Sequence, residues 1–100
     1  MKLDLPEDIL QMITEELARH PNLSQAKIFG SRVLGYTSKY SDIDIALYGD
    51  LSDSEISLIA IELDDLHTVY KYDVIHYETI NTKELKDDID NTGVTIYCRK

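Results

Sequence analysis

The sequence predicts an α+β fold: a small mixed sheet of about four strands with helices packed on one face, in the order α-β-β-α-β-α-β. Three observations lead there. Two long segments carry apolar residues at helical spacing behind recognisable start signals. Four short apolar runs, bounded by glycine or polar residues, read as strands. No linker, repeat or low-complexity tract divides the 100 residues, so residues 1–100 are expected to form a single domain.

The first helix is expected from Pro6 to Arg19. Pro6 suits a first turn, where its missing N–H costs nothing, and Glu7 and Asp8 complement the positive helix end. Ile9, Leu10, Ile13 and Leu17 share one face, and His20-Pro21-Asn22 stops the helix. Ala26 to Phe29 reads as a strand ending at Gly30. Ser31 to Gly35 reads as a helical turn and Tyr36 to Tyr40 as a polar loop. Ile43 to Tyr48 is the second strand, closed by Gly49-Asp50. Ser52-Asp53-Ser54-Glu55 then fits a capping box, and Ile56, Ile59, Ala60, Leu63 and Leu66 extend a helix from Asp53 to about Tyr70. Tyr72 to Tyr77 is the third strand. Thr82 to Asp90 is a short acidic helix with Leu85 and Ile89 one turn apart, and Val94 to Cys98 is the last strand.

Composition narrows the class. Formal net charge is −9, and the ten Lys and Arg residues form no basic run. Such a surface repels nucleic acid, so no direct nucleic-acid contact is expected, and a basic protein partner, or a substrate whose charge is carried by metal, fits better. A single cysteine, Cys98, excludes an internal disulfide. No apolar run is long enough for a membrane span, and the N-terminus lacks an apolar signal core; the expected location is the cytoplasm.

The residues that carry chemistry are acidic. Asp42 and Asp44 alternate with Ile43 and Ile45, so both point to one sheet face while the isoleucines point to the other. Paired carboxylates repel, and hard divalent cations are the usual compensation. Asp73, in the run Tyr72-Asp73-Val74-Ile75, joins them if its strand neighbours the second. Three carboxylates then suit two metal ions of the kind used in phosphoryl chemistry. An isolated Asp-x-Asp, however, is a common pattern and reads more simply as a polar strand edge. Ahead of it stands Phe29-Gly30-Ser31-Arg32. Glycine at a strand end lets the backbone turn and approach a ligand closely, and serine offers its hydroxyl and N–H to phosphate oxygens. Arg32 is expected to pair with phosphate, and Lys39 to approach the same site. Alone, Gly-Ser is also an ordinary strand-to-helix turn.

Taken together, Gly30-Ser31, a spacer of ten residues, Asp42-Ile43-Asp44 inside a strand and a later Asp73 resemble the signature of the minimal nucleotidyltransferase family, small members of the DNA polymerase β-like nucleotidyltransferase superfamily. The likeness takes in Gly-Ser-Arg-Val-Leu-Gly and Tyr40 to Ala46, and it runs nearly the whole chain. One position departs: Leu34 stands where members often carry a second basic residue. The resemblance implies a polymerase β palm-like fold. It also implies a magnesium-dependent transfer of AMP from ATP. Gly30, Ser31, Arg32 and Lys39 would bind the nucleotide; Asp42, Asp44 and Asp73 would be catalytic and hold two Mg²⁺ ions. Relatives with this spacing act as antitoxins that adenylylate a tyrosine of a helical HEPN ribonuclease toxin, so a HEPN partner in a hetero-oligomer is implied. Two other functions stand beside this one: a non-catalytic module that neutralises its partner by contact, and nucleotidyl transfer to a small molecule.

The remaining candidates read as structural. His20, at a helix end before a proline, is expected to face solvent; His67 is placed on the long helix and His76 on the third strand, and neither pairs with a second zinc ligand. Cys98 reads as a buried thiol. The seven tyrosines are expected at sheet and helix margins, one of them an acceptor of self-modification at most. Glu62-Leu63-Asp64-Asp65 and Asp87-Asp88-Ile89-Asp90 read as solvated helix faces or as docking sites for a basic partner.

Overall fold

The computed structural model describes residues 5–30 and 42–99. Ser31, Arg32 and Lys39, with the expected turn and loop around them, lie outside the described residues. The described chain runs α1 (Glu7–Leu17), β1 (Leu23–Phe29), β2 (Ile43–Gly49), α2 (Asp53–Asp64), β3 (Tyr72–His76), a 3-10 turn (Tyr77–Thr79), α3 (Lys83–Thr92) and β4 (Val94–Cys98). The element order and the mixed sheet are those expected. Strand order is β3-β2-β1-β4, with β1 antiparallel to β2 and β4, and β2 parallel to β3. A parallel neighbour needs a long crossover, and α2 supplies it.

The two faces of the sheet are both covered, which corrects the expectation that the helices share one face. Ile43, Ile45 and Leu47 of β2 and Ala26 and Ile28 of β1 pack with Ile13 and Leu17 of α1 and Ile59 and Leu63 of α2. On the other face Phe29 and Ala46 pack with Ile89 of α3, with Leu85, Ile75 and Tyr77 at the margin. The reason is visible in β2: Ala46 is as fully buried as its isoleucine neighbours, so this strand carries apolar surface on both sides.

Boundaries moved where pairing or crossover geometry overrode local pattern. β1 begins at Leu23, ahead of the apolar run, because Leu23 and Gln25 pair with Gly49 and Tyr48. α2 stops at Asp64, although nothing in residues 65–71 breaks a helix; the chain must turn back to run beside β2, and it does so through His67 at φ 58. His67 therefore lies beyond the helix, while Leu66 still packs on the core. The Ser52 hydroxyl accepts from the Glu55 N–H at 3.1 Å, the cap expected at that point. The Glu55 carboxylate accepts from the Asn22 amide at 3.2 Å, tying the head of α2 to the α1–β1 connection.

His20 is buried, only 8% exposed, a second correction. Its Nε2 meets Glu62 Oε1 of α2 at 2.5 Å, so the end of α1 is pinned between the two helices. Arg99 reinforces the same corner by donating to the carbonyls of Leu23 and His20 at 3.1 and 2.9 Å. Cys98, by contrast, is exposed at the end of edge strand β4. At the far end of the parallel pair, His76 Nε2 lies 2.8 Å from the Gly49 carbonyl, and Gly49 N–H donates to Glu78. No helix among the described residues is long and apolar enough to cross a membrane.

Tyr48 and Tyr77 stack on the α3 side with ring centroids 4.3 Å apart. The Tyr77 hydroxyl donates to Asp90 at 2.7 Å. Tyr48 Oη is buried and has no hydrogen-bond partner among the described residues. Burial, followed by Tyr77, Asp90 and Glu78, pushes its ionisation up to about 12. Tyr48→Phe removes the orphaned hydroxyl and keeps the stack, so it is expected to raise stability by about 1 kcal/mol, read as a higher Tm. A spectrophotometric titration at high pH should lose one late tyrosine in the variant.

Candidate active site

Gly30 ends β1 immediately after Phe29, whose buried ring anchors the strand against Ala46 and Ile89. It adopts φ +81, a left-handed conformation that side chains rarely take. Phe29 is the register partner of Asp44, so the turn at Gly30 passes directly over that carboxylate. A Cβ at position 30 would stand 2.7 Å from Asp44 Oδ2. Glycine is thus required twice, for the backbone angle and for the space that Asp44 occupies.

Parallel pairing brings in Asp73. Asp44 and Asp73 are register partners across β2 and β3, and the Ile43 N–H donates to the Lys71 carbonyl at 2.8 Å, locking that register at the end of the strands where the carboxylates stand. Side chains of direct partners share a face. Asp42 is exposed on the residue just before β2. Asp44 is the half-buried member. Its carboxyl ionises above the ordinary value of 3.8, first because burial penalises its charge and then because Asp73 and Asp42 repel it. Asp42 and Asp73 thus both lie near enough for their charges to act on Asp44. Among the described residues, no group of three or more His, Cys, Asp or Glu forms a ready-made metal cage.

The arrangement therefore joins Gly30, Asp42, Asp44 and Asp73 at one end of the sheet. The expected nucleotide-binding residues Ser31, Arg32 and Lys39 fall outside the described residues. Sequence reasoning missed the floor of the site, Phe29, Ala46 and Ile89; an alanine inside an isoleucine-rich strand was the available sign that a second face is packed. A separate surface cleft, lined by Ile56, Ser57, Ile75, His76, Thr82 and Leu85, lies toward the opposite end of β3 and contains none of these site residues.

The polymerase β nucleotidyltransferase model matches residues 11–100, and the chain belongs to that family. No curated protein matches it in sequence. Its fold is shared with a chain of a toxin-antitoxin crystal structure containing AMP-PNP, at 21% identity and TM-score 0.76 over 91% of this chain and 74% of that one. A chain of the MntA-HepT toxin-antitoxin complex matches at 18% identity and TM-score 0.71, covering 94% and 74%. A chain from the complex of tri-AMPylated Shewanella oneidensis HEPN toxin with MNT antitoxin matches at 18% identity and TM-score 0.56, covering 90% and 73%.

Proposed function

We propose that the chain transfers AMP from ATP to a tyrosine hydroxyl of a HEPN ribonuclease toxin and thereby acts as the antitoxin of a toxin-antitoxin pair. The observation that carries this reading is the packing of Asp44 between Gly30 and its register partner Asp73. Carboxylates crowded in this way, at a cost in charge repulsion, suit cationic ligands. The family match and the shared fold with toxin-antitoxin chains support the reaction class and the partner.

The donors fit magnesium held in an open site. This ion is typically bound by one or two protein carboxylates together with substrate phosphates, so no closed protein cage is needed. Asp42, Asp44 and Asp73 would hold the two Mg²⁺ ions. When bound, the ions supply neutralisation of the triphosphate charge. Gly30 lets the backbone approach the β- and γ-phosphates, and Ser31 offers them its hydroxyl and N–H. Arg32 and Lys39 would add positive charge for the phosphates. Asp73 orients the tyrosine hydroxyl and accepts its proton. The hydroxyl oxygen bonds to the α-phosphorus, the bond from that phosphorus to the bridging oxygen breaks, and pyrophosphate leaves with the electron pair. Most of the acceleration comes from positioning and charge compensation.

The test is to incubate the protein with Mg²⁺, ATP and the protein encoded beside it, and to weigh the products. Whole AMP units are expected on a partner tyrosine, and Asp42→Asn should lower their rate of appearance by at least about 10³-fold. Neutralisation of the toxin that survives Asp42→Asn without any mass gain would replace catalysis by contact.

A further inference from the structure

The large hydrophobic side chains most exposed among the described residues are concentrated in one short stretch. Leu58 is 48% exposed, Ile61 64% and Val69 64%; the first two lie on α2 and the third in the connection that follows it. Leu58 and Ile61 are three residues apart, so they form one ridge on the outside of the helix. α2 is already buried on its inner side through Ile59 and Leu63. A surface helix normally presents polar residues outward. This one carries apolar residues on both its inner and outer sides.

Charge selects the occupant. From Gly49 to Tyr70 the chain has six acidic residues and no Lys or Arg. Glu55 and Glu62 are one turn from Leu58, and Asp64 and Asp65 are one turn from Ile61. Glu55 and Glu62 are engaged by Asn22 and His20, whereas Asp64 and Asp65 are exposed, Asp65 with the equally exposed His67 Nε2 3.8 Å away. An apolar ridge with an acidic border repels an anionic membrane or nucleic acid. It also disfavours a second copy of this chain, because a two-fold contact would set Asp64 and Asp65 against themselves.

We infer that the outer face of α2 docks a surface of the protein that this chain modifies, one that is apolar with a basic border. The inference rests on the proposed transfer reaction for the identity of that partner. Leu58 and Ile61 supply the apolar contact, and Asp64 and Asp65 steer and align the cationic border of the partner.

The test uses the full chain and the protein encoded beside it, with binding measured by isothermal titration and mass by light scattering. Leu58→Ser with Ile61→Ser is expected to weaken binding roughly 10- to 30-fold. Asp64→Lys with Asp65→Lys should weaken it mainly at about 50 mM salt and little at about 500 mM. Circular dichroism should remain that of the wild type, and AMP-PNP binding, which reads the donor site, should be unchanged. Wild-type affinity in both double variants overturns the assignment of this face and leaves the transfer reaction standing. AMP transfer without a measurable complex does the same. Absence of both complex and transfer overturns the docking assignment and the transfer reading together. A doubled mass of the chain alone, lost in Leu58→Ser with Ile61→Ser, assigns the face to self-association instead.

Discussion

Gly30→Ala is expected to abolish nucleotidyl transfer almost as completely as removing a carboxylate. The added methyl meets Asp44 Oδ2 at 2.7 Å, well inside any ordinary contact, and the φ of +81 strains an alanine in its own right. The left-handed conformation costs about 1–2 kcal/mol. Relief requires that the turn or Asp44 move by a good fraction of an ångström, and displacements of about 1 Å at a reacting centre cost on the order of 10²-fold in rate. The expected result is a fall in AMP transfer of at least about 10²-fold with a drop in Tm of several degrees, measured on the same preparation. Phe29→Leu is the control. It loosens the floor against Ala46 and Ile89 without touching the turn's conformation, so it should lower Tm with a much smaller effect on rate. Unchanged transfer in Gly30→Ala would mean that Asp44 is not held where the reaction needs it.

Asp44→Asn is expected to separate stability from activity. Transfer should fall by about 10³-fold or more, because the half-buried carboxylate between Gly30 and Asp73 is lost. Stability in the absence of metal should rise, by about 2–5 °C in Tm. The direction follows from ionisation. Asp44 in the folded protein ionises above 3.8, so the folded state holds its proton more tightly than the unfolded chain. That contribution is fully present below pH 3.8 and is lost as pH rises through the folded value. The advantage of asparagine should therefore be small in acid and reach its full size near neutrality. Thermal melts in chelator, at acid and neutral pH, measure it. A variant less stable than wild type at neutral pH would show that Asp44 is compensated by contacts outside its crowded carboxylates. Magnesium should narrow the gap by stabilising the wild type alone.

The contrast between these two sites shows what local pattern can and cannot carry. Asp44 was legible because it interrupts an isoleucine run with period-two spacing, and Asp73 because it opens another apolar run. Each segment by itself was compatible with a polar strand edge. Register is a property of two strands at once, and only pairing sets Asp44 opposite Asp73 and beneath Gly30. The end of α2 makes the same point. Residues 65–71 contain no helix breaker, yet the helix stops at Asp64 because β3 must return alongside β2. His20 reads as a terminal polar residue, but it is buried because α1 and α2 meet there and Glu62 supplies a partner.

The sequence by itself determined the element order, the mixed α+β class, the family and the acidic character of the chain, since periodicity, caps, composition and motif spacing are local quantities. Only the tertiary structure decided that α3 covers the second face, that Gly30 makes room for Asp44, and that Leu58 and Ile61 remain outside. These depend on which surfaces meet, and whether an apolar side chain ends in the core or on the surface follows from packing between elements distant in the chain.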